Sequence, residues 1–287
     1  MIDFVTVLNR HLSHPVSNVY TAPVMGGDIN QSFLVIANKT KYFVKVNNDP
    51  SSAAMFMSEL NGLKTLDNTK SIRVPHMIGK GELGSYSYLI LEWIENQMKD
   101  DVFWEHLGRD LARLHETRHE KFGLDEDNFI GGLPQCNEWK EKWVDFFLEN
   151  RIEPLVKMAR DEGLISSDVC HKFEKCSIRL IDIMPLENPS LVHGDLWSGN
   201  IMCNNSSEVV FIDPAVYFGH REMDIAMTVL FGGFSPIFYD SYQEYFPMMS
   251  GWQDRLRYYN LYPLLVHLNL FGMEYLPRIN DILSSLE

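Results

Sequence analysis

Between Val16 and Ile94 the chain alternates apolar and polar residues in short runs, and from Phe103 onward apolar residues recur every three or four positions, apart from a strand-like patch over residues 191–213. Period two buries one face of a strand and a period near 3.6 buries one stripe of a helix, so the pattern predicts a smaller sheet-rich part followed by a larger helical one. We place the division at residue 92, giving segments 1–92 and 93–287 and an α/β (α+β) fold of two lobes sharing a cleft.

Ser32–Ile36 and Lys41–Val46 flank the turn-prone Asn38-Lys39, as the strands of a hairpin do. Asp49-Pro50-Ser51-Ser52 then breaks the chain and signals a helix start, after which Met55, Phe56, Glu59, Leu60 and Leu63 recur at helical spacing, with Glu59 on the apolar stripe. Further strands are expected over Val74–Gly79 and Tyr88–Ile94, with turns at Gly79, Gly81 and Gly84. In the second part Trp104, Leu107, Leu111, Leu114 and His115 form one helical face and Trp139, Trp143, Phe146, Phe147 and Ile152 another, both read as core.

Composition narrows the function classes. At 287 residues and 45% hydrophobic, the chain has enough apolar material for a folded globular protein. Acidic residues outnumber basic ones 39 to 25, a net charge of −14 with no Lys/Arg run, which argues against sequence-independent binding to nucleic acid or to an anionic membrane. The opening residues lack a signal-peptide pattern, and the richest apolar stretch, Leu261–Met273, is interrupted by His267 and Asn269. The four cysteines show no metal-ligand spacing and most are expected to be reduced core thiols, so a cytoplasmic location is expected.

One segment is far more specific. Leu191–Met202 reads as an apolar strand running into the polar loop His193-Gly194-Asp195-Leu196-Trp197-Ser198-Gly199-Asn200, and Val209–Ile212 leads to Asp213-Pro214. An aspartate, an asparagine five residues on and an aspartate thirteen beyond that supply what phosphoryl transfer needs: Asp195 as proton acceptor for an alcohol, and Asn200 and Asp213 as hard oxygen ligands for Mg²⁺. The loop resembles the catalytic loop of the protein-kinase-like superfamily in its small-molecule branch, where His-Gly-Asp replaces His-Arg-Asp. That resemblance implies ATP as the phosphoryl donor, Lys45 as the strand lysine that holds its phosphates, Glu59 as the lysine's partner, Gly26 and Gly27 in a phosphate-covering loop, and the backbone of Glu92 and Ile94 as the adenine-binding hinge.

A narrower resemblance spans nearly the whole chain. Asn128–Asn137, Trp143–Phe147, His193–Asn200, Asp213–Thr228, Phe231–Phe234 and Leu265–Gly272 are together similar to the fructosamine kinase (ketosamine-3-kinase) family, with Trp197-Ser198 and the run Gly219-His220-Arg221-Glu222 as its more distinctive marks. It implies phosphorylation of the 3-hydroxyl of a ketosamine, free or attached to protein. Gln135, Asn137, His220, Arg221 and His267 become candidates to line the sugar pocket, and Asp224 and His193 are expected to support the catalytic loop structurally. Some family members carry a cysteine in the glycine-rich loop; Asp28 stands there in this chain, so redox control is not carried over. Kinases of an aminoglycoside or of choline would share every phosphate-binding residue, and a nucleotide-binding pseudokinase is disfavoured by the joint presence of Lys45, Glu59, Asp195, Asn200 and Asp213.

Overall fold

The computed structural model describes residues 2–25 and 29–286; the expected glycines Gly26 and Gly27 lie outside the described residues. The chain opens with the short helix α1 (Phe4–Asn9), whose first amides at Val5 and Thr6 are accepted by the Asp3 carboxylate at 3.0 and 3.4 Å. Strands β1 (Tyr20–Val24), β2 (Gln31–Ala37) and β3 (Thr40–Asn47) follow, then helix α2 (Ser52–Asn68), then β4 (Met77–Leu83) and β5 (Tyr86–Glu92). They form one antiparallel sheet in the order β1-β2-β3-β5-β4. The turn between β2 and β3 is Asn38-Lys39, with φ of 50° and 67°, the paired positive values whose twist matches the flanking strands.

Alternation along β5 divides the apolar interior in two. Tyr88 and Ile90 join Val35, Val44 and Val46 in a small core closed by α1, whereas Leu89 and Leu91 face α2 and join Phe56, Leu60, Leu63 and Leu66 in the main core. Two expectations need correction here. Strand β4 starts at Met77 and not at Val74, since Pro75 has no N–H to give a ladder. Gly79 and Gly81 lie inside that strand, where an added Cβ would fall 2.2 Å from His11 Nδ1 and 2.6 Å from the Tyr88 hydroxyl; among the three glycines the turn belongs to Gly84, at φ +63°.

The larger part begins with α3 (Asp101–His115), capped by the Asp100 carboxylate on the Phe103 amide at 2.8 Å and burying the expected apolar face. A ribbon of β6 (Asn128–Ile130) and β7 (Leu133–Gln135) leads to α4 (Trp143–Phe146), a π-helical turn (Phe147–Ile152) and helices α5 (Glu153–Asp161) and α6 (Ser167–Ile183). Trp143, Phe146, Phe147 and Ile152 are buried, but Trp139 lies before the helix with its ring stacked on His119 at 4.3 Å. Then come β8 (Ser190–Val192), β9 (Ile201–Cys203), β10 (Val209–Phe211) and β11 (Tyr217–Gly219), paired as β8/β11 and β9/β10, and helices α7 (Glu222–Phe231), α8 (Pro236–Tyr245), α9 (Trp252–Tyr259), α10 (Leu261–Phe271) and α11 (Leu276–Ser284). Among the described residues no helix is long and apolar enough to cross a membrane.

Candidate active site

A cavity of about 930 Å³ opens between the sheet and the helices, and the β8/β11 and β9/β10 ribbons of the larger part deliver the chemical residues to it. Strand β8 runs into His193-Gly194-Asp195. Gly194 sits at φ +83°, and a Cβ there would come within 2.1 Å of the Ala215 carbonyl oxygen, so only glycine fits. The loop is tied on two sides: the His193 and Gly194 amides donate to the two carboxylate oxygens of Asp224 at 2.7 and 2.9 Å, and His193 Nε2 donates to the Ile212 carbonyl at 3.0 Å. Asp195 enters the cavity from this frame. Asn200 Nδ2 reaches back to the Asp195 carbonyl at 2.8 Å and to its Oδ2 at 2.9 Å.

The β9/β10 hairpin places Asp213 opposite, at φ +55°. Lys45, on β3 and 4% exposed, bridges the two parts: its Nζ donates to Glu59 Oε1 on α2 at 2.8 Å and to Asp213 Oδ1 at 2.6 Å. Burial alone would depress the ammonium, but Asp213 and then Glu59 outweigh it and hold the Lys45 pKa above its ordinary value. For Asp195 the balance is reversed. Burial, then the like charge of Asp213, push its carboxyl up to about 7, against the hydrogen bond from Asn200. A carboxylate near neutrality is suited to taking a proton from an alcohol.

Leu91–Ile94, the expected hinge, line the cavity. The Glu92 N–H is already given to the His76 carbonyl at 2.9 Å, and its carboxylate accepts from Arg73 Nη2 at 2.7 Å and from the His76 amide at 3.0 Å, so neither the N–H nor the side chain of Glu92 is open to a ligand.

The expected sugar-pocket residues separate. His267 lines the cavity, with Nδ1 donating to the Pro263 carbonyl at 2.8 Å and its ring against Phe231, Phe271 and Tyr275 at 4.9–5.3 Å. Gln135, Asn137, His220 and Arg221 do not, and this corrects their placement. Gln135 donates to Asn128 Oδ1 at 2.6 Å and accepts from the Tyr262 hydroxyl; Asn137 donates to the Glu126 carbonyl and Asn128 Oδ1 and accepts from Arg151 at 2.7 Å. These amides satisfy one another inside the fold, as buried polar groups must. His220 is fully buried between Trp143 and Tyr259, and Arg221 forms a two-pronged pair with Glu187 at 2.7 and 2.9 Å.

Sequence reasoning assigned no site role to several other residues at the cavity: Lys99 carried no signal at all, and Trp197, Phe231 and Phe271 stood only within the family-like segments. Lys99 lines the cavity, its Nζ donating to the Ser198 carbonyl at 3.0 Å, with burial lowering its pKa. Trp197, Phe231 and Phe271 present rings that are 36–41% exposed along the same wall.

The sequence model of the fructosamine kinase family matches residues 2–286. The chain belongs to the fructosamine kinase family. Its relatives include a probable ketoamine kinase of Enterococcus faecium, 39% identical over 92% of this chain and 94% of that one, and the chloroplastic protein-ribulosamine 3-kinase of Arabidopsis thaliana, 38% identical over 92% and 82%. The crystal structure of a putative fructosamine-3-kinase from Haemophilus somnus superposes with a TM-score of 0.88 at 29% identity, covering 99% of this chain and 96% of that one. The protein is a phosphotransferase with the two-lobed, protein-kinase-like fold of this family.

Proposed function

We propose that the protein transfers the γ-phosphoryl group of ATP to the 3-hydroxyl of a ketosamine of the fructosamine or ribulosamine type, as a step in deglycation. The observation that carries this reading is the convergence of Lys45, Glu59 and Asp213 with the Asp195–Asn200 pair at one cavity, in a chain matched almost end to end by the family. Residues 1–92 serve as the nucleotide-binding lobe and residues 93–287 carry the catalytic loop and the acceptor pocket.

In the mechanism Asp195 accepts the hydroxyl proton as the sugar oxygen bonds to the γ-phosphorus and the bond to the β,γ-bridging oxygen breaks, releasing ADP. Asn200 holds the Asp195 carboxylate in register through its Nδ2. Lys45, kept charged by its two acids, neutralises phosphate oxygens, and the carbonyl of Glu92 with the amide of Ile94 holds adenine. Asn200 and Asp213 fit a magnesium ion: both offer hard oxygens, Asn200 has committed only its amide nitrogen, and the Asp213 side chain keeps 38% of its surface open. When bound, Mg²⁺ would supply charge neutralisation at the phosphates. Such an ion takes most of its ligands from phosphate and water, in accord with the absence of any cluster of three or more His, Cys, Asp or Glu among the described residues. His267 faces the acceptor as a neutral ring. None of the four cysteines is in a disulfide, which supports a reducing, cytoplasmic setting.

The test is ATP consumption across ketosamines, aminoglycosides and choline, with the phosphate position in the product assigned by NMR. Phosphorylation of a ketosamine at its 3-hydroxyl is expected. Turnover of choline or an aminoglycoside with ketosamines inert would overturn the substrate while leaving the kinase.

A further inference from the structure

The catalytic loop hangs from Asp224, and Asp224 is itself held from behind. His115, the last residue of α3, lies with Nε2 3.1 Å from Asp224 Oδ2 and with Nδ1 2.7 Å from the hydroxyl of Tyr242 on α8. The three side chains are buried, none more than 1% exposed. Chemistry fixes the proton on each bond. An ionised carboxylate only accepts, so His115 Nε2 carries the hydrogen; burial lowers the pKa of the ring and keeps it neutral, so Nδ1 accepts and the Tyr242 O–H donates. Arg221 Nη1 approaches the Tyr242 oxygen at 3.5 Å from the far side, itself fixed by Glu187 and by the Phe246 and Pro247 carbonyls. The line Arg221, Tyr242, His115, Asp224 therefore has a single direction of donation, ending on the carboxylate that holds the His193 and Gly194 amides.

Packing places the line as deliberately as hydrogen bonding orients it. Helices α3 and α8 meet at Gly108, where an added Cβ would stand 2.5 Å from the Phe238 carbonyl oxygen and 2.8 Å from the Tyr242 amide nitrogen. Gly108 precedes His115 by two helical turns, so the bare backbone there lets α8 come close enough for Tyr242 to reach the ring. His115 is absent from the cavity lining and cannot touch a substrate directly.

We propose that His115, with Tyr242 behind it, is a positioning residue for phosphoryl transfer: it locks the Asp224 carboxylate in one orientation and thereby aims the His193-Gly194 backbone that presents Asp195. Without it, Asp224 keeps only the two backbone donors and is free to turn about its terminal torsion.

The inference rests on the phosphotransferase reading, and the two fail separately: inert wild-type protein would sink that reading, whereas the ratios among variants test the relay. Turnover with ATP and a ketosamine is compared for His115→Leu, His115→Gln and Tyr242→Phe, with melting temperature as a check on folding. His115→Leu should lose about 10- to 100-fold in kcat, the scale of an ångström-sized misplacement, with KM for ATP within about threefold of wild type. His115→Gln retains a side-chain N–H for Asp224 and should recover most of the loss, and Tyr242→Phe, which keeps the ring and removes only the O–H, should lower kcat several-fold. Equal losses in the Leu and Gln variants, an unchanged kcat in Tyr242→Phe, or a fall in ATP affinity that accounts for the effect would overturn the proposal. If His115→Leu does not fold, Tyr242→Phe and His115→Gln decide alone.

Discussion

The two ends of the cavity are built on different principles. At the end we assign to the nucleotide the charged groups are pinned: Lys45 between Glu59 and Asp213, Asp195 against Asn200, Glu92 on Arg73. At the end we assign to the acceptor the wall is made of rings, with Trp197, Phe231, His267 and Phe271 side by side and partly exposed. Phosphoryl transfer develops the same charges whatever alcohol is used, so its residues need fixed geometry and narrow chemistry. An acceptor is recognised largely by shape and apolar area, which many side chains can supply.

Perturbation should therefore fall unequally on the two ends. The largest effect is expected at the base: Asp195→Asn should cut kcat by roughly 10²- to 10⁴-fold while ATP still binds, as read by turnover and by an ATP-induced thermal shift. Near-full activity in that variant would remove Asp195 from the mechanism.

Acidification should follow in size. With the Asp195 carboxyl raised to about 7, kcat/KM should rise with pH through the acid range and level off near neutrality. The slope expected is about tenfold per pH unit below the plateau. Stability runs the other way. The folded pKa lies above the unfolded value of about 4, so the acid's contribution is intact below pH ~4 and is lost as pH rises toward 7. Asp195→Asn should accordingly melt above wild type at neutral pH, by a margin that closes on acidification; a constant margin would contradict the shift.

A smaller effect concerns the metal. ATP with Mg²⁺ should stabilise the protein by about 2.7 kcal/mol at a hundredfold excess over Kd, and Asp213→Asn should lose most of the metal dependence of that shift. Smallest, and confined to the acceptor end, Phe271→Ala should raise KM for a ketosamine by about tenfold or less, the worth of one aromatic contact, with KM for ATP unchanged. Were KM for ATP to move instead, the assignment of the two ends would be wrong.

The same asymmetry decided what could be read from the chain. Lys45 in the run Tyr42–Val46 would by itself read as an edge-strand lysine and stands out only beside Glu59 and the distal motif, whereas Asp195, Asn200 and Asp213 are marked by spacing that turns rarely produce. Strand and helix periods located β2, β3, α2 and α3 because each buries one face. Gln135 and Asn137 misled for a physical reason: polar residues in a motif look like ligand contacts, and only the fold shows that Asn128 and Arg151 consume their hydrogen bonds. His115, grouped by spacing with core residues, is indeed buried, but its two nitrogens meet partners more than a hundred residues away, which no local pattern encodes.

The divided faces of β5 bear on how this molecule comes apart. Since Leu89 and Leu91 belong to an interior shared with the helices while Tyr88 and Ile90 close the smaller one, a single strand is the common wall of both compartments. Neither compartment can melt without stripping that wall from the other, so denaturation should be a single cooperative event. A fragment cut after Glu92 would leave Leu89, Leu91 and the apolar stripe of α2 facing water and should aggregate when expressed alone.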